Sequence, residues 1–129
     1  MIYYARNATK QGYIIGREGD GLSLEHPHST GRRGRVTAGV SHTLDTGGNE
    51  ATMINGRIRK LTPRECFALQ GFEKEEADML SENGLSDCQL YKQAGNSICV
   101  PVLVAIFTAM KEQGLFAGFS VNYNNQSLI

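Results

Sequence analysis

A short segment around residue 95 carries side chains that could bind an anionic ligand. Gly95 allows a tight backbone turn, and Asn96 and Ser97 then present an amide and a hydroxyl before an apolar run that begins near Pro101. That run indicates a helix, and polar groups just before a helix N-terminus suit a ligand that bears a carboxylate. The alternative is that Asn96 is an ordinary cap residue.

A second segment, farther upstream, is strongly basic. Arg32, Arg33 and Arg35 lie close together among small residues that leave the backbone accessible. Guanidinium groups make paired hydrogen bonds to phosphates, so the cluster could hold a nucleic-acid backbone; the alternative is a solvated basic loop.

The distribution of charge favours the first of these two interpretations. The chain has 13 basic and 13 acidic residues and no net charge, which alone argues against nonspecific binding of nucleic acid. However, residues 1–60 hold nine basic and five acidic side chains, whereas residues 61–129 hold four and eight. This asymmetry suggests that a polyanion faces the first half of the chain.

The elements that must position these residues change in type along the chain. With 129 residues the chain is long enough for one domain. Residues 1–48 are rich in Gly, Ser, Thr and His, which predicts short strands and long loops. Asn55 and Gly56 separate two runs that alternate apolar and polar residues, and this pattern predicts a hairpin with a type I′ turn.

Three helices are predicted after the hairpin. Thr62, Pro63 and Glu65 have the spacing of a capping box with proline at the first helical position. The helix that they start should end near Leu69, before Gly71. Its inward-facing residues are expected to be Cys66, Phe67 and Leu69.

The other two helices differ in polarity. Residues 73–83 predict an amphipathic helix with Ala77 and Leu80 on its buried face, stopped by Gly84. The third should run from about Val100 to Gln113 and is apolar almost all round, so it must be covered on most sides.

Several kinds of chemistry are not indicated. Cys66, Cys88 and Cys99 lack the paired spacing of a zinc site and are expected to be reduced, mostly buried thiols. No histidine pattern suggests a metal site, and no glycine-rich cradle for a dinucleotide is present. The absence of an apolar span of 18 residues leads us to expect a cytoplasmic protein without a membrane segment.

Two blocks of the sequence identify a family by resemblance. Residues 59–72 read RKLTPRECFALQGF and residues 93–102 read QAGNSICVPV. They resemble the last two signature blocks of the bacterial DNA cytosine-5 methyltransferases, with a departure at Ala68, where the family often has arginine. SHTLDT at residues 41–46 resembles the Thr-Leu element of that family's target-recognition region.

The resemblance implies roles for particular residues. Asn96 and Ser97 would line the S-adenosylmethionine pocket, Thr43 would approach the DNA backbone near an extruded base, and Arg32, Arg33 and Arg35 would belong to the recognition region. The family's reaction is base flipping, attack of a cysteine thiolate on C6 of cytosine and methyl transfer to C5. No segment resembles the family's cofactor loop or its Pro-Cys-Gln nucleophile, and Cys88, which Asp87 precedes, is not taken as the nucleophile.

These observations predict an α+β chain that completes a larger α/β methyltransferase. Residues 1–56 would be part of the target-recognition region, residues 57–117 a helical C-terminal signature segment and residues 118–129 a loose tail. The chain would contribute DNA recognition and part of the cofactor site, and would be inactive alone. Its expected partners are double-stranded DNA, an N-terminal catalytic lobe or subunit, and a second copy bound through the apolar helix. A stand-alone DNA-binding module or a catalytically inactive remnant remains the alternative.

Overall fold

The computed structural model describes residues 2–26, 28, 29, 31 and 35–115. Within these residues the chain has the mixed α+β architecture that the sequence predicts, with six strands and four helices. In chain order the elements are β1 (Ile2–Arg6), β2 (Tyr13–Arg17), β3 (Gly21–Ser23), β4 (Val36–Thr37), β5 (Glu50–Ile54), β6 (Arg57–Lys60), α1 (Pro63–Leu69), α2 (Lys74–Glu82), α3 (Asp87–Asn96) and α4 (Val100–Glu112).

The described strands form two antiparallel sheets. β1 and β2 pair only with each other, whereas the second sheet has the order β4-β3-β5-β6. The β1–β2 hairpin lies with one face against the second sheet, because a Cβ at Gly16 would stand 3.4 Å from Leu22 Cδ2 and 3.5 Å from Val36 Cγ1. The other face of the hairpin is exposed.

The predicted hairpin between β5 and β6 is confirmed. Ile54 pairs with Arg57, which leaves Asn55 and Gly56 as the two turn residues, with φ angles of 50° and 70°. Positive φ at both positions is what a type I′ turn requires. The Glu18 carboxylate also accepts hydrogen bonds from the backbone N–H groups of both turn residues.

The first predicted helix is confirmed in its bounds and its cap. The Glu65 N–H donates to Thr62 Oγ1 over 3.3 Å, and the Thr62 N–H donates to Glu65 Oε2 over 2.8 Å. Gly71 follows the helix with a φ of 86°, and a Cβ there would lie 2.4 Å from Pro101 Cδ. Glycine at this position therefore lets the start of α4 lie against the end of α1.

The structure adds a fourth helix to the three predicted ones. Ser86 and Gln89 form a capping box that starts α3, and this helix continues to Asn96. Asn96 and Ser97 were expected just before a helix N-terminus, but Asn96 is the last residue of α3 and Ser97 is its C-cap. Cys99 is the N-cap of α4. The reason is the capping box at Ser86. It begins a helix that precedes Asn96 and Ser97 in the chain, so these residues lie at the C-terminal end of α3.

The main core lies among α1, α2 and α3. Its buried members are Cys66, Phe67, Ala77, Leu90 and Ala94, with Leu80 and other apolar residues partly buried around them. The prediction for Leu69 was wrong, because its side chain is 48% exposed. Cys66 is buried as expected, Cys99 is partly buried and Cys88 is exposed, and all three are free thiols. The division at residue 57 stays a prediction, and residues 118–129 lie outside the described residues.

The fourth helix, α4, is largely uncovered. None of its residues is buried, and Val102 and Val104 are 52% and 58% exposed. By length and composition alone, the span Asp87–Glu112 could cross a membrane. One such span is weak evidence for membrane insertion, and the backbone at Ser97 and Cys99 is extended, which separates α3 from α4.

Candidate functional site

A cavity of about 420 Å³ lies where three separate segments of the chain meet. The loop between β4 and β5 contributes Thr43, the end of α1 contributes Gln70, and the end of α3 contributes Gly95 and Ser97. Ser41, His42, Leu44 and Leu69 complete the lining. The structure thus brings together Thr43, predicted to contact DNA, and Ser97, predicted to contact the cofactor.

The loop that carries Thr43 is held by an internal network of hydrogen bonds. The Asp45 carboxylate accepts hydrogen bonds from the Gly47 N–H at 2.8 Å, the Asn49 N–H at 3.2 Å and Asn49 Nδ2 at 2.7 Å. Burial acts to raise the pKa of Asp45, but these hydrogen bonds, that from the Asn49 amide first, bring the pKa below its ordinary value. An ionised Asp45 therefore stabilises this loop.

Two glycines let the same loop approach α3 closely. A Cβ at Gly95 would lie 2.4 Å from the Asp45 carbonyl oxygen, and a Cβ at Gly48 would lie 2.5 Å from the Tyr91 ring. The Tyr91 hydroxyl in turn donates to the Leu61 carbonyl oxygen over 2.7 Å. A side chain at Gly95 or Gly48 would prevent these close contacts. The position of Thr43 beside Ser97 thus depends on glycine at both positions.

Gln70 connects α1 to the junction of α3 and α4. Its side-chain Nε2 donates to the Ala94 carbonyl oxygen over 3.0 Å, and its backbone carbonyl oxygen accepts from the Val100 N–H over 2.8 Å. The Ser97 hydroxyl also donates to the Ala94 carbonyl oxygen, over 2.8 Å. Ser97 Oγ is therefore left able to accept a hydrogen bond, whereas its proton is already used. Asn96 is exposed.

His42 lines the cavity and Glu50 binds the loop that carries Thr43, and the sequence indicated neither role. Glu50 is 4% exposed and accepts a hydrogen bond from the Asp45 N–H over 2.8 Å. Burial raises the pKa of Glu50, and the charge of Asp45 adds to this shift, whereas His42 opposes it. Glu50 Oε2 and His42 Nε2 are buried and have no hydrogen-bond partner among the described residues. His42 lines the cavity, whereas its Nε2 atom is itself shielded from solvent.

The three arginines of the basic segment do not share one environment that the structure describes. Arg32 and Arg33 lie outside the described residues. Arg35 is 4% exposed, and its guanidinium donates to the carbonyl oxygens of Glu25, His26 and Ser29 at 3.0, 2.6 and 3.2 Å. A phosphate contact by Arg35 would require these hydrogen bonds to be broken, so its position favours a structural role.

Cys66 lacks the properties of an activated nucleophile. Burial raises the pKa of the Cys66 thiol to about 11, and the nearby charge of Glu50 acts in the same direction. A thiol with a raised pKa is a poor nucleophile at neutral pH. Among the described residues, no group of three or more His, Cys, Asp or Glu side chains could hold a metal ion.

Comparison with known proteins identifies the family. The family model for C-5 cytosine-specific DNA methylase matches residues 4–112. Because this match covers most of the chain, the chain belongs to the C-5 cytosine-specific DNA methylase family. Its relatives are DNA methyltransferases, and S-adenosylmethionine is the cofactor that the family generally uses.

Individual relatives match over only part of their own length. The chain is 42% identical over 87 residues to the orphan methyltransferase M.Rho11sI of Bacillus phage rho11s, which covers 64% of this chain and 17% of the relative. It is 41% identical over 73 residues to the type II methyltransferase M.Bsp6I of Bacillus sp. (strain RFL6), covering 55% and 22%. It is 48% identical over 50 residues to the DNA-cytosine methyltransferase of Escherichia coli (strain K12), covering 39% and 10%. No solved structure matches the chain.

Proposed function

We propose that this chain supplies DNA recognition and one side of the cofactor site of a DNA (cytosine-5) methyltransferase, and that it transfers no methyl group by itself. The observation that supports this most directly is the shared cavity, in which the loop of Thr43 meets Gln70 and Ser97. The family's reaction transfers a methyl group from the cofactor to DNA. Contact between the loop of Thr43 and the segment of Ser97 therefore favours a common site for DNA and cofactor.

The polar groups of the cavity fit only a small part of a cofactor. Ser97 Oγ can accept a hydrogen bond, and buried His42 Nε2 has no partner among the described residues. Bound S-adenosylmethionine would supply the methyl group, and Ser97, with its exposed neighbour Asn96, would hold one polar end of it; His42 would contribute only if its side chain moved to expose Nε2. The remaining contacts would come from an N-terminal catalytic lobe or subunit.

Absence of activity in the isolated chain is tested by methyl transfer. We expect no transfer of labelled methyl from S-adenosylmethionine to DNA by the purified chain, since Cys66 is buried with a raised pKa and Cys88 is preceded by Asp87 where the family's nucleophile follows a proline. Adding the N-terminal portion of a family member should restore transfer. Transfer by the chain alone, abolished by Cys88→Ser, would show that the active nucleophile is in this chain.

DNA recognition is proposed for Arg32, Arg33 and Thr43. The logarithm of affinity should fall with the logarithm of salt concentration by about 0.9 per phosphate contact, so R32A/R33A should flatten the slope by about 1.8. R35A is the matched comparison, because its guanidinium is bound to loop carbonyls and its loss should leave the slope nearly unchanged. An unchanged slope in R32A/R33A would exclude these phosphate contacts.

A stand-alone DNA-binding module is the second candidate, and the net positive charge of residues 1–60 favours it. The two candidates differ in one result: a module would bind DNA but would restore no methyl transfer when it is mixed with an N-terminal portion. In either case we expect the chain to act in the cytoplasm.

A further inference from the structure

The outer face of the β1–β2 hairpin is an exposed surface with a distinctive composition. Three directly opposed pairs form it: Ile2 with Arg17, Tyr4 with Ile15, and Arg6 with Tyr13. All six side chains are exposed, whereas the residues between them face the second sheet and are partly or fully buried. An exposed face with four large apolar or aromatic side chains and two arginines is unusual for a solvated surface.

The charges of this face are not neutralised. None of its six residues is acidic. No ion pair within the described part of the chain involves Arg6 or Arg17. The nearest acid in sequence, Glu18, binds the N–H groups of the turn at Asn55 and Gly56. Both guanidinium groups are therefore available to an external anion.

The spacing of the two arginines suits a regular polyanion. Arg6 and Arg17 belong to opposed pairs at the two ends of the hairpin, four residues apart along the strands. At a rise of about 3.3 Å per residue they are separated by roughly 13 Å. One strand of duplex DNA has a phosphate about every 3.4 Å along the helix axis, so the two guanidinium groups would contact different phosphates.

The aromatic residues give the face further suitable contacts. The Tyr4 and Tyr13 rings meet edge to face with centroids 5.2 Å apart, which holds both side chains in position beside Arg6. Tyrosine hydroxyls are common donors to phosphate oxygens. We propose that the outer face of the β1–β2 hairpin is a second DNA-binding surface, which contacts the phosphate backbone of double-stranded DNA. The proposal rests on the proposed function and adds to it a surface outside the basic segment.

The salt dependence of DNA binding by the full chain tests this assignment. R6A/R17A should flatten the slope by about 1.8, to a similar extent on DNA of different sequence. R6K/R17K should keep most of the slope because it keeps both charges. The matched control is K92A/K111A, which removes two exposed positive charges from the helical half and should leave the slope unchanged.

The possible results separate this inference from the proposed function. If R32A/R33A flattens the slope and R6A/R17A does not, the hairpin surface is excluded and DNA recognition stands. An equal effect of R6A/R17A and K92A/K111A would also exclude it, since net charge alone would then explain the change. If the unaltered chain binds no DNA, both proposals fail.

Discussion

Two surfaces of this chain are both exposed and both rich in large side chains, but they differ in charge. The outer face of the β1–β2 hairpin has Arg6 and Arg17 at its ends and no acid, whereas α4 has no charged residue before Lys111. A polyanion can neutralise the charges of the first surface. The second surface offers no charge to bind, and a polar group placed against it would lose its hydration without gaining a hydrogen bond, so apolar side chains suit it best. With the functions proposed above, the two surfaces would have different partners: DNA for the hairpin and protein for α4.

The contact between the loop of Asp45 and α3 should be the most sensitive to mutation. G95A would place a Cβ 2.4 Å from the Asp45 carbonyl oxygen, and both atoms belong to packed backbone segments. We expect a loss of about 2–3 kcal/mol in the free energy of unfolding, even though alanine is the better helix former. Chemical denaturation measures it.

G31A is the control for this substitution, because the nearest atom to its new Cβ is Ser29 Oγ at 3.9 Å. It should change stability little. If G95A is as stable as G31A, the loop of Asp45 does not pack against α3 at Gly95.

The apolar surface should cause self-association when its partner is absent. We expect the chain to form a two-fold dimer through α4 at micromolar concentration. V104E places a charge on a side chain that is 58% exposed and should raise the dissociation constant at least tenfold, or about 1.4 kcal/mol. Sedimentation equilibrium measures this change.

T108E, at another exposed position of α4, introduces the same charge without removing an apolar side chain. A weaker effect than that of V104E would locate the association in apolar contact. A chain that stays monomeric as its concentration rises would remove the distinction between the two surfaces, because α4 would then need no cover.

The cap of α1 follows the last strand, β6, after one residue. T62A removes the acceptor of the Glu65 N–H and should lower the free energy of unfolding by about 1 kcal/mol. T62S keeps the hydroxyl and should retain most of the stability. The expected observation is an earlier denaturation midpoint with little change in slope for T62A alone. Equal midpoints for both variants would mean that the cap contributes nothing.

The smallest effect is expected at the ion pair beside that cap. Arg59 holds the pKa of Glu65 at about 2, below the ordinary 4.5, through hydrogen bonds of 2.7 and 2.9 Å. Since the folded-state pKa is lowered, the pair stabilises the fold above the unfolded pKa, and this contribution is lost as the pH falls from about 4.5 to about 2. The pair is exposed, so solvent screens it and its contribution should be small.

E65Q should reduce the dependence of the denaturation midpoint on pH within that interval. D78N is the comparison, since the Arg64–Asp78 pair at 3.1 Å has a single short contact and lies wholly within the helical half. An unchanged pH profile in E65Q would show that the Arg59–Glu65 pair does not link β6 to α1 in solution.

Local signals in the sequence predicted the elements that depend on neighbouring residues. The turn at Asn55 and Gly56 and the cap at Thr62 follow from backbone preferences and from hydrogen bonds within a few positions. The same reasoning should have found α3, whose capping box at Ser86 and Gln89 has the same spacing. It was not recognised because Asn96 and Ser97 were interpreted as the start of the next helix.

The sequence predicted some residues of the candidate site but not how they are arranged. Thr43 and Ser97 were named from resemblance, but their meeting in one cavity depends on the contact of Gly95 with Asp45, fifty positions away in sequence. The burial of Arg35 and the unpartnered Nε2 of His42 likewise result from tertiary packing. Neither has a periodic pattern that a sequence could reveal.

The joint at the base of α4 has a consequence for the rate at which backbone amides exchange with deuterium in solvent. The Val100 N–H is bound to the Gln70 carbonyl oxygen, and Pro101 lies against Gly71, so the first turn is attached to α1. Beyond that turn no side chain of the helix is buried, and its hydrogen bonds are protected only by the helix itself. Opening of this segment requires far less free energy than global unfolding. Deuterium should therefore enter the later turns of α4 long before it reaches the amides of α1 and α3, and a bound partner should slow this exchange first.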